Sequence, residues 1–289
     1  MDEARKTGLI MEGGAMRGMF TAGVIDVMME NGIEFDGGIG VSAGATFGCN
    51  YKSRQIGRPA RYCATYCNDP RFASLESLRK TGDIYGVEFC YKTIPYELDP
   101  FDFETFTNNP MEFYVVATDI ETGKAVYHKC HDAGEKDLEW MRASASMPLV
   151  SRIVEINGRK FLDGGMSDSI PVAGFEKLGF NHNVAILTQP LGYIKHRNEY
   201  LVPLRIKYRK YPNLIKAVET RHIKYNAETT YIRKKELDGE LFVVRPPQAL
   251  NIGSIEKNAS ELMRVYEIGR RTMTERIEEL KEWMKQEKN

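Results

Sequence analysis

The 289-residue sequence has no long apolar run. Its longest stretch free of Lys, Arg, Asp and Glu is Leu178 to Ile194, interrupted by Asn181, Asn183, Gln189, Pro190 and Gly192. A spanning helix needs about 20 mostly apolar residues, so any membrane contact is expected to be peripheral. Residues Met1 to Thr7 are charged and lead straight into a strand pattern without an apolar h-region, so no secretory signal is expected. Cysteine is scarce: Cys49, Cys63, Cys67, Cys90 and Cys130 are an odd set without a disulfide-framework look. Cys63 and Cys67 stand four apart, a helical spacing, and no second Cys/His pair completes a zinc pattern. The expectation is reduced thiols and a cytoplasmic setting, and no cofactor is expected. Repeats and low-complexity tracts are absent, and no linker marks a clean domain boundary.

Net charge is also absent, but the zero conceals an uneven distribution. Asp83 to Glu139 holds 13 acidic and 4 basic residues, whereas Tyr193 to Lys235 holds 12 basic and 3 acidic. The basic segment carries six tyrosines, and within it Leu204, Ile206, Leu214, Ile215 and Val218. Basic residues among apolar and aromatic ones suit an anionic lipid surface. A solvated face, or one paired with the acidic segment, explains the same composition. Nucleic acid is a rival partner, but no recognition motif supports it.

Periodicity supplies the architecture. Gly8 to Met11 reads as a buried strand, Gly13 to Gly18 as a glycine-rich turn, and Met19 to Glu30 as a helix stopped by Asn31-Gly32. The unit repeats as a strand at Gly37 to Val41, a turn at Ser42 and a helix at Ala43 to Tyr51. Two such units predict a parallel sheet covered by helices. Residues 57–107, rich in proline and aromatics, read as helices and loops over the sheet, either a candidate lid or ordinary aromatic core packing. Phe113 to Thr118 should be a central strand, and Leu138 to Ala145 a helix. Arg152 to Ile156 and Arg159 to Leu162 should form a hairpin about Asn157-Gly158. A helix at Pro171 to Leu178, strands at Val184 to Thr188 and Leu241 to Val244, and a long helix from about Ser254 to Lys285 complete the pattern. In that last helix Ile277, Leu280 and Met284 share one face, a candidate subunit contact in a homo-oligomer.

Three constellations carry chemistry. Gly40-Val41-Ser42-Ala43-Gly44 is a G-x-S-x-G between a strand and a helix. Small residues on either side let the turn close with the hydroxyl held outward, and the helix N-terminus favours a developing oxyanion. A tight turn without chemistry is the alternative. Gly13-Gly14-Ala15-Met16-Arg17-Gly18 can present successive backbone amides to an anion. It could be an oxyanion hole, a plain turn, or a dinucleotide phosphate loop of an oxidoreductase with Asp36 as the ribose-binding acid. The dinucleotide reading leaves Ser42 and Asp163 without a role. Asp163-Gly164-Gly165 places a carboxylate at a strand end, beside glycines that permit close approach. A serine needs a base, usually His. His128, His131, His182, His196 and His222 lie in no segment that obviously returns to the site, and solvated positions are expected for those after Asp163. Direct contact of Asp163 with Ser42 is the other possibility.

The three motifs, in this order, resemble the patatin-like phospholipase family, with the match running from about Gly8 to Thr188. The resemblance implies a three-layer α/β/α sandwich with a mainly parallel sheet and a Ser–Asp dyad without histidine. It further implies lipid acyl hydrolysis through an acyl-enzyme and no metal. Carried over by position, Ser42 is the nucleophile and Asp163 the base. Gly13, Gly14 and Ala15 make the oxyanion hole, supported by Arg17, while Gly18, Gly40, Gly44, Gly164 and Gly165 support the motifs. Ala15 replaces the family's third glycine, tolerable with a negative φ, and Ser169 stands where the family often has Asn. The expected layout is a catalytic core at 1–190 with a basic helical C-terminal extension at 191–289 packed on it as one structural unit. The expected activity is that of a lipid acyl hydrolase. A lipid-binding regulatory protein of the same fold with little turnover is the reading from another class.

Overall fold

The computed structural model describes residues 6–286. The chain runs β1 (Thr7–Met11), α1 (Gly18–Glu30), β2 (Gly37–Val41), α2 (Ala43–Lys52), α3 (Arg58–Tyr66), α4 (Leu75–Thr81), a wide π-type helix (Phe89–Leu98) and α5 (Phe103–Asn108). It continues with β3 (Glu112–Asp119), β4 (Ala125–Cys130), α6 (Glu135–Ser144), β5 (Val154–Ile156), β6 (Arg159–Asp163), α7 (Val172–Lys177) and β7 (His182–Ile186). The last elements are α8 (Leu201–Lys207), α9 (Pro212–Leu237), β8 (Leu241–Val244) and α10 (Ala259–Lys285).

One mixed sheet takes the order β5-β6-β3-β2-β1-β7-β8, with β4 also on β3. The pairs β3–β2, β2–β1, β1–β7 and β7–β8 are parallel, while β4 and β6 both run antiparallel to β3. Side chains alternate across the strands and feed two cores. Leu9, Met11, Phe113, Val115, Val184, Ile186, Phe242 and Val244 join α1, α2 and α10 on one face. Ile10, Ile39, Val41, Val116, Ala185 and Val243 join α7 and α9 on the other. This is the expected α/β arrangement with helices on both faces.

The hairpin turn adopts left-handed φ at both central residues, 51° at Asn157 and 74° at Gly158, the geometry that matches strand twist. Strand β4 was not legible in the sequence; its side chains are mostly half-exposed, which weakens any apolar alternation. Helix α10 begins at Ala259, where the Asn258 side chain accepts from the Ser260 N–H and caps the helix, rather than near Ser254. Segment 191–286 does not stand apart from the rest. Its strand β8 closes the sheet beside β7, and α10 crosses α1 at Gly23 and Gly269, where a Cβ on either would lie 2.1 Å from the other helix's backbone. The α10 face expected at a subunit contact is buried inside this chain, with Ile277, Leu280 and Trp283 in the main core. Among the described residues, no helix is long and apolar enough to cross a membrane.

Candidate active site

Ser42 sits between β2 and α2 with φ 54° and ψ −120°, a conformation few non-glycine residues adopt. Such strain costs on the order of 1–3 kcal/mol and persists only where the surroundings enforce it. Here two close approaches enforce it. A Cβ on Gly40 would lie 2.3 Å from the Gly44 carbonyl oxygen, and one on Gly44 would lie 2.3 Å from that of Met11. The amides of Ala45 and Thr46 donate to the Ser42 carbonyl and start α2 (2.9 and 3.1 Å). The Ser42 N–H donates to the Ser144 hydroxyl, 2.8 Å away and buried at the end of α6.

Strand β3 brings the second motif to this elbow. Its Val116 pairs with Val41, the last residue of β2, and its next residue, Ala117, pairs with Asp163, the last of β6. Strand β6 therefore occupies the β3 edge where β2 leaves it, and Asp163 arrives beside Ser42. The Asp163 carboxylate is buried beside the Ser42 hydroxyl and accepts from the Gly165 amide at 2.8 Å. Burial pushes its pKa above the ordinary aspartate value, and the Arg221 guanidinium and the nearby Ser42 hydroxyl pull it back in part. Its backbone is held as well: its amide donates to Ser146 O (2.9 Å), and its carbonyl accepts from Thr118 Oγ1 (2.8 Å). The end of α6 and the loop after it thus grip both residues, Ser42 through the Ser144 side chain and Asp163 through the Ser146 backbone.

The glycine-rich loop lies against the same elbow. A Cβ on Gly13 would sit 2.9 Å from Val41 O and 3.1 Å from Ser42 Cβ. Gly14 packs on Thr188, and its carbonyl accepts from the Arg17 amide (3.1 Å). Ala15 takes φ 47°, not the negative value that would have made alanine an easy substitute for glycine. Left-handed alanine costs roughly 1–2 kcal/mol. Glu12 anchors the loop: it is buried, with its two oxygens accepting from the Thr188 amide (2.6 Å) and the Tyr225 hydroxyl (2.8 Å). Gly18 meets Ala43 and Phe47, Gly164 meets Val116 O, and Gly165 lies between Asp163 and Arg221. Ser169 supports the turn after Asp163 by donating to Gly165 O (2.8 Å), and Arg221 Nε donates to the same oxygen (2.5 Å).

From Ser42, Ala15 and Met16 an apolar cavity extends between Phe47, Tyr62, Tyr91, Ile94, Pro95, Phe101, Leu138 and Met141. Segment 58–101 roofs it, so the aromatics there act both as core and as cavity wall. The one charged wall residue, Arg58, is buried and tied to Asp99 and Asn50. Cys49 and Cys90 also line the wall, and burial pushes both thiols up to about 12, so they stay protonated and are poor nucleophiles.

No histidine is among the partners found for Asp163. His182 is buried and stacked on Trp283, 3.7 Å between ring centroids, rather than solvated as expected. His128, Cys130 and Asp137 are the one group among the described residues close enough together to hold a metal. Asp137 already accepts from His128 Nε2 and from the amides of residues 131–133, and burial holds the Cys130 thiol protonated. Asp36 stands before β2, where its carboxylate accepts from the Thr7 amide (2.7 Å), at the opposite end of β1 from the glycine loop. It is therefore not placed to serve a nucleotide ribose there. Among the described residues, no ion pair joins the acidic and basic segments. Sequence reasoning missed Ser144, Arg221 and Tyr225. The small-residue run Ala143 to Ser146 was a faint signal for the first; the other two lie on α9 with none.

The strand–elbow–helix of Ser42, the buried carboxylate of Asp163 and the glycine-rich loop thus lie together at one place on the sheet. The family model for patatin-like phospholipases matches residues 9–175, and the chain belongs to that family of lipid hydrolases. A second family model, a domain of unknown function (DUF6363), matches residues 211–285. The chain is 24% identical to the uncharacterized protein YjjU of Escherichia coli, over 92% of this chain and 75% of that one. It is 30% identical to lysophospholipase nte1 of Aspergillus niger over 61% of this chain, which spans only 11% of the fungal protein. It is 25% identical to an uncharacterized NTE family protein of Mycobacterium bovis, over 63% of this chain and 48% of that one. Among solved structures, VipD from Legionella pneumophila overlaps loosely, with a TM-score of 0.43 and 10% identity over 94% of this chain and 67% of that one.

Proposed function

We propose that the chain is a serine acyl hydrolase acting on lipid esters through a Ser42–Asp163 dyad. The observation that carries this is the buried carboxylate of Asp163 set beside the hydroxyl of a strained elbow serine. In the first half-reaction Asp163 takes the Ser42 proton as Oγ bonds to the ester carbonyl carbon, and the carbonyl electrons move onto oxygen. The amides of Gly13, Gly14 and Ala15, supported by Arg17, stabilise that oxyanion. Collapse breaks the ester C–O bond, and the leaving alcohol takes the proton from Asp163. Water then gives its proton to Asp163, attacks the acyl-enzyme, and releases the acid as Ser42 regains its proton. The apolar cavity would hold the acyl chain. A fluorophosphonate probe should label the protein and fail to label Ser42→Ala; equal labelling of both proteins overturns the assignment.

The names of the fungal relatives support a lysophospholipase-type substrate. Segment 193–235 supplies the proposed contact with anionic membrane. Within and beside it Leu191, Ile194, Tyr200, Val202 and Ile206 are exposed among Arg197, Arg205 and Lys207. Co-sedimentation with anionic vesicles should exceed that with zwitterionic ones and weaken in Val202→Glu/Ile206→Glu; no difference in either comparison removes this part of the proposal. The five unbonded cysteines support a cytoplasmic setting.

A further inference from the structure

Two arginines from separate segments, Arg221 and Arg17, act on the Lys195 ammonium, and none of the three cations lines the apolar cavity. Arg221, on α9, donates Nε to Gly165 O (2.5 Å). Its Nη2 and Asp163 Oδ1 both lie about 3 Å from one point beside Gly165, at 3.1 and 3.0 Å. Lys195 precedes α8 and is pinned to α9: its amide donates to Asn226 Oδ1 (2.9 Å), and its carbonyl accepts from Asn226 Nδ2 (3.1 Å). Its ammonium lies 4.4 Å over the Tyr225 ring. Arg17 leaves the glycine loop, and its Nε is buried without a hydrogen-bond partner. The Lys195 ammonium feels Arg221 and Arg17 as like charges, and Glu12 and Glu228 as opposite ones.

All three cations are half-buried. Yet the ion pairs among the described residues include none of them: Arg205 takes Glu219, Lys235 takes Glu176 and Glu240, and Lys224 takes Glu228. Glu12, the nearest counter-charge from β1, already accepts from Thr188 and Tyr225. Half-burying like charges together is unfavourable, and the carboxylates that act on Lys195 and Arg221, namely Glu12, Glu228 and Asp163, make no direct ion pair with them among the described residues. An anion between them would relieve that cost, and two guanidinium forks with an ammonium match the several oxygens of a phosphate better than the two of a carboxylate. Burial, followed by repulsion from Arg221, pushes Lys195 down to about 8.

We propose that Lys195, Arg221 and Arg17 form an anion subsite for a phosphate on the alcohol side of the scissile ester, which selects glycerophosphate esters over neutral glycerides. This rests on Ser42 being the nucleophile. The direct test is the ratio of kcat/KM for a palmitoyl lysophosphatidic acid to that for monopalmitoylglycerol. Lys195→Gln should lower the ratio at least tenfold, and Lys195→Arg should restore it to within about threefold. An unchanged ratio, or equal loss on both esters, overturns the subsite. A titration of glycerol 3-phosphate against Ser42→Ala protein reads the subsite without turnover, and adding Lys195→Gln should weaken that binding about tenfold or more. Inorganic phosphate binding as tightly as glycerol 3-phosphate would overturn the headgroup assignment in favour of a free-phosphate site. If the wild type hydrolyses neither ester, the nucleophile reading fails, and the titration still decides whether the anion subsite exists.

Discussion

The two sides of Ser42 are built in opposite ways. On one side, residues 58–147 supply an apolar cavity whose single charge, Arg58, is fully engaged. On the other, Arg221 borders the Asp163 turn and acts with Arg17 on Lys195, and none of the three is in an ion pair found among the described residues. Under the proposed mechanism, an ester laid across the serine would meet unlike surroundings on its acyl and alcohol sides. A charged leaving group would be costly to bury in the cavity, and an alkyl chain would gain little beside the cations. Substrate orientation would follow from that contrast.

The comparison can be tested at its centre first. Ser42→Ala should lower ester turnover by about 10⁴-fold or more while thermal unfolding remains near that of the wild type. Retained turnover would mean the chemistry lies elsewhere. Asp163→Asn should cost on the order of 10³-fold. In the wild type, kcat/KM should fall on acidification as Asp163 gains a proton, with its midpoint above the ordinary aspartate value because burial raises this pKa. A midpoint at or below that value would exclude Asp163 as the base. On the apolar side, Leu138→Trp should shorten the cavity and raise KM for long-chain p-nitrophenyl esters roughly tenfold more than for the butyrate ester. Overpacking by such a change costs about 1–3 kcal/mol, so the unfolding midpoint should be measured alongside. On the cationic side, raising the pH through about 8 removes the Lys195 charge, so the preference for phosphate-bearing over neutral esters should decline several-fold there. A flat preference from pH 7 to 9 would detach Lys195 from headgroup selection. The smallest effect belongs to Ala15→Gly, which removes an alanine from left-handed φ. It should stabilise by about 0.5–1 kcal/mol, seen as a rise of a few degrees in Tm, with ester turnover retained.

The two sides also differ in how much of each was legible in the sequence. The cavity wall announced itself through Tyr62, Tyr91 and Phe101, although alternation could not separate lid from core. Of the cationic side only Arg17 stood in a motif. Arg221 and Lys195 were two of the many basic residues in one long basic stretch. Their partners, Gly165 and Tyr225, were fixed by how α9 lies across the sheet.

Local chemistry alone determined the elbow at Ser42, the turn at Asn157-Gly158 and the crowding that requires a small residue at Gly40, which meets Gly44 four positions on. Each depends on backbone conformation within a few positions. Only the tertiary structure decided that Asp163 reaches Ser42, because that meeting depends on β2 and β6 taking successive positions along one edge of β3. Strand register is set by contacts between segments remote in the chain, and no local pattern encodes which residue will stand beside which.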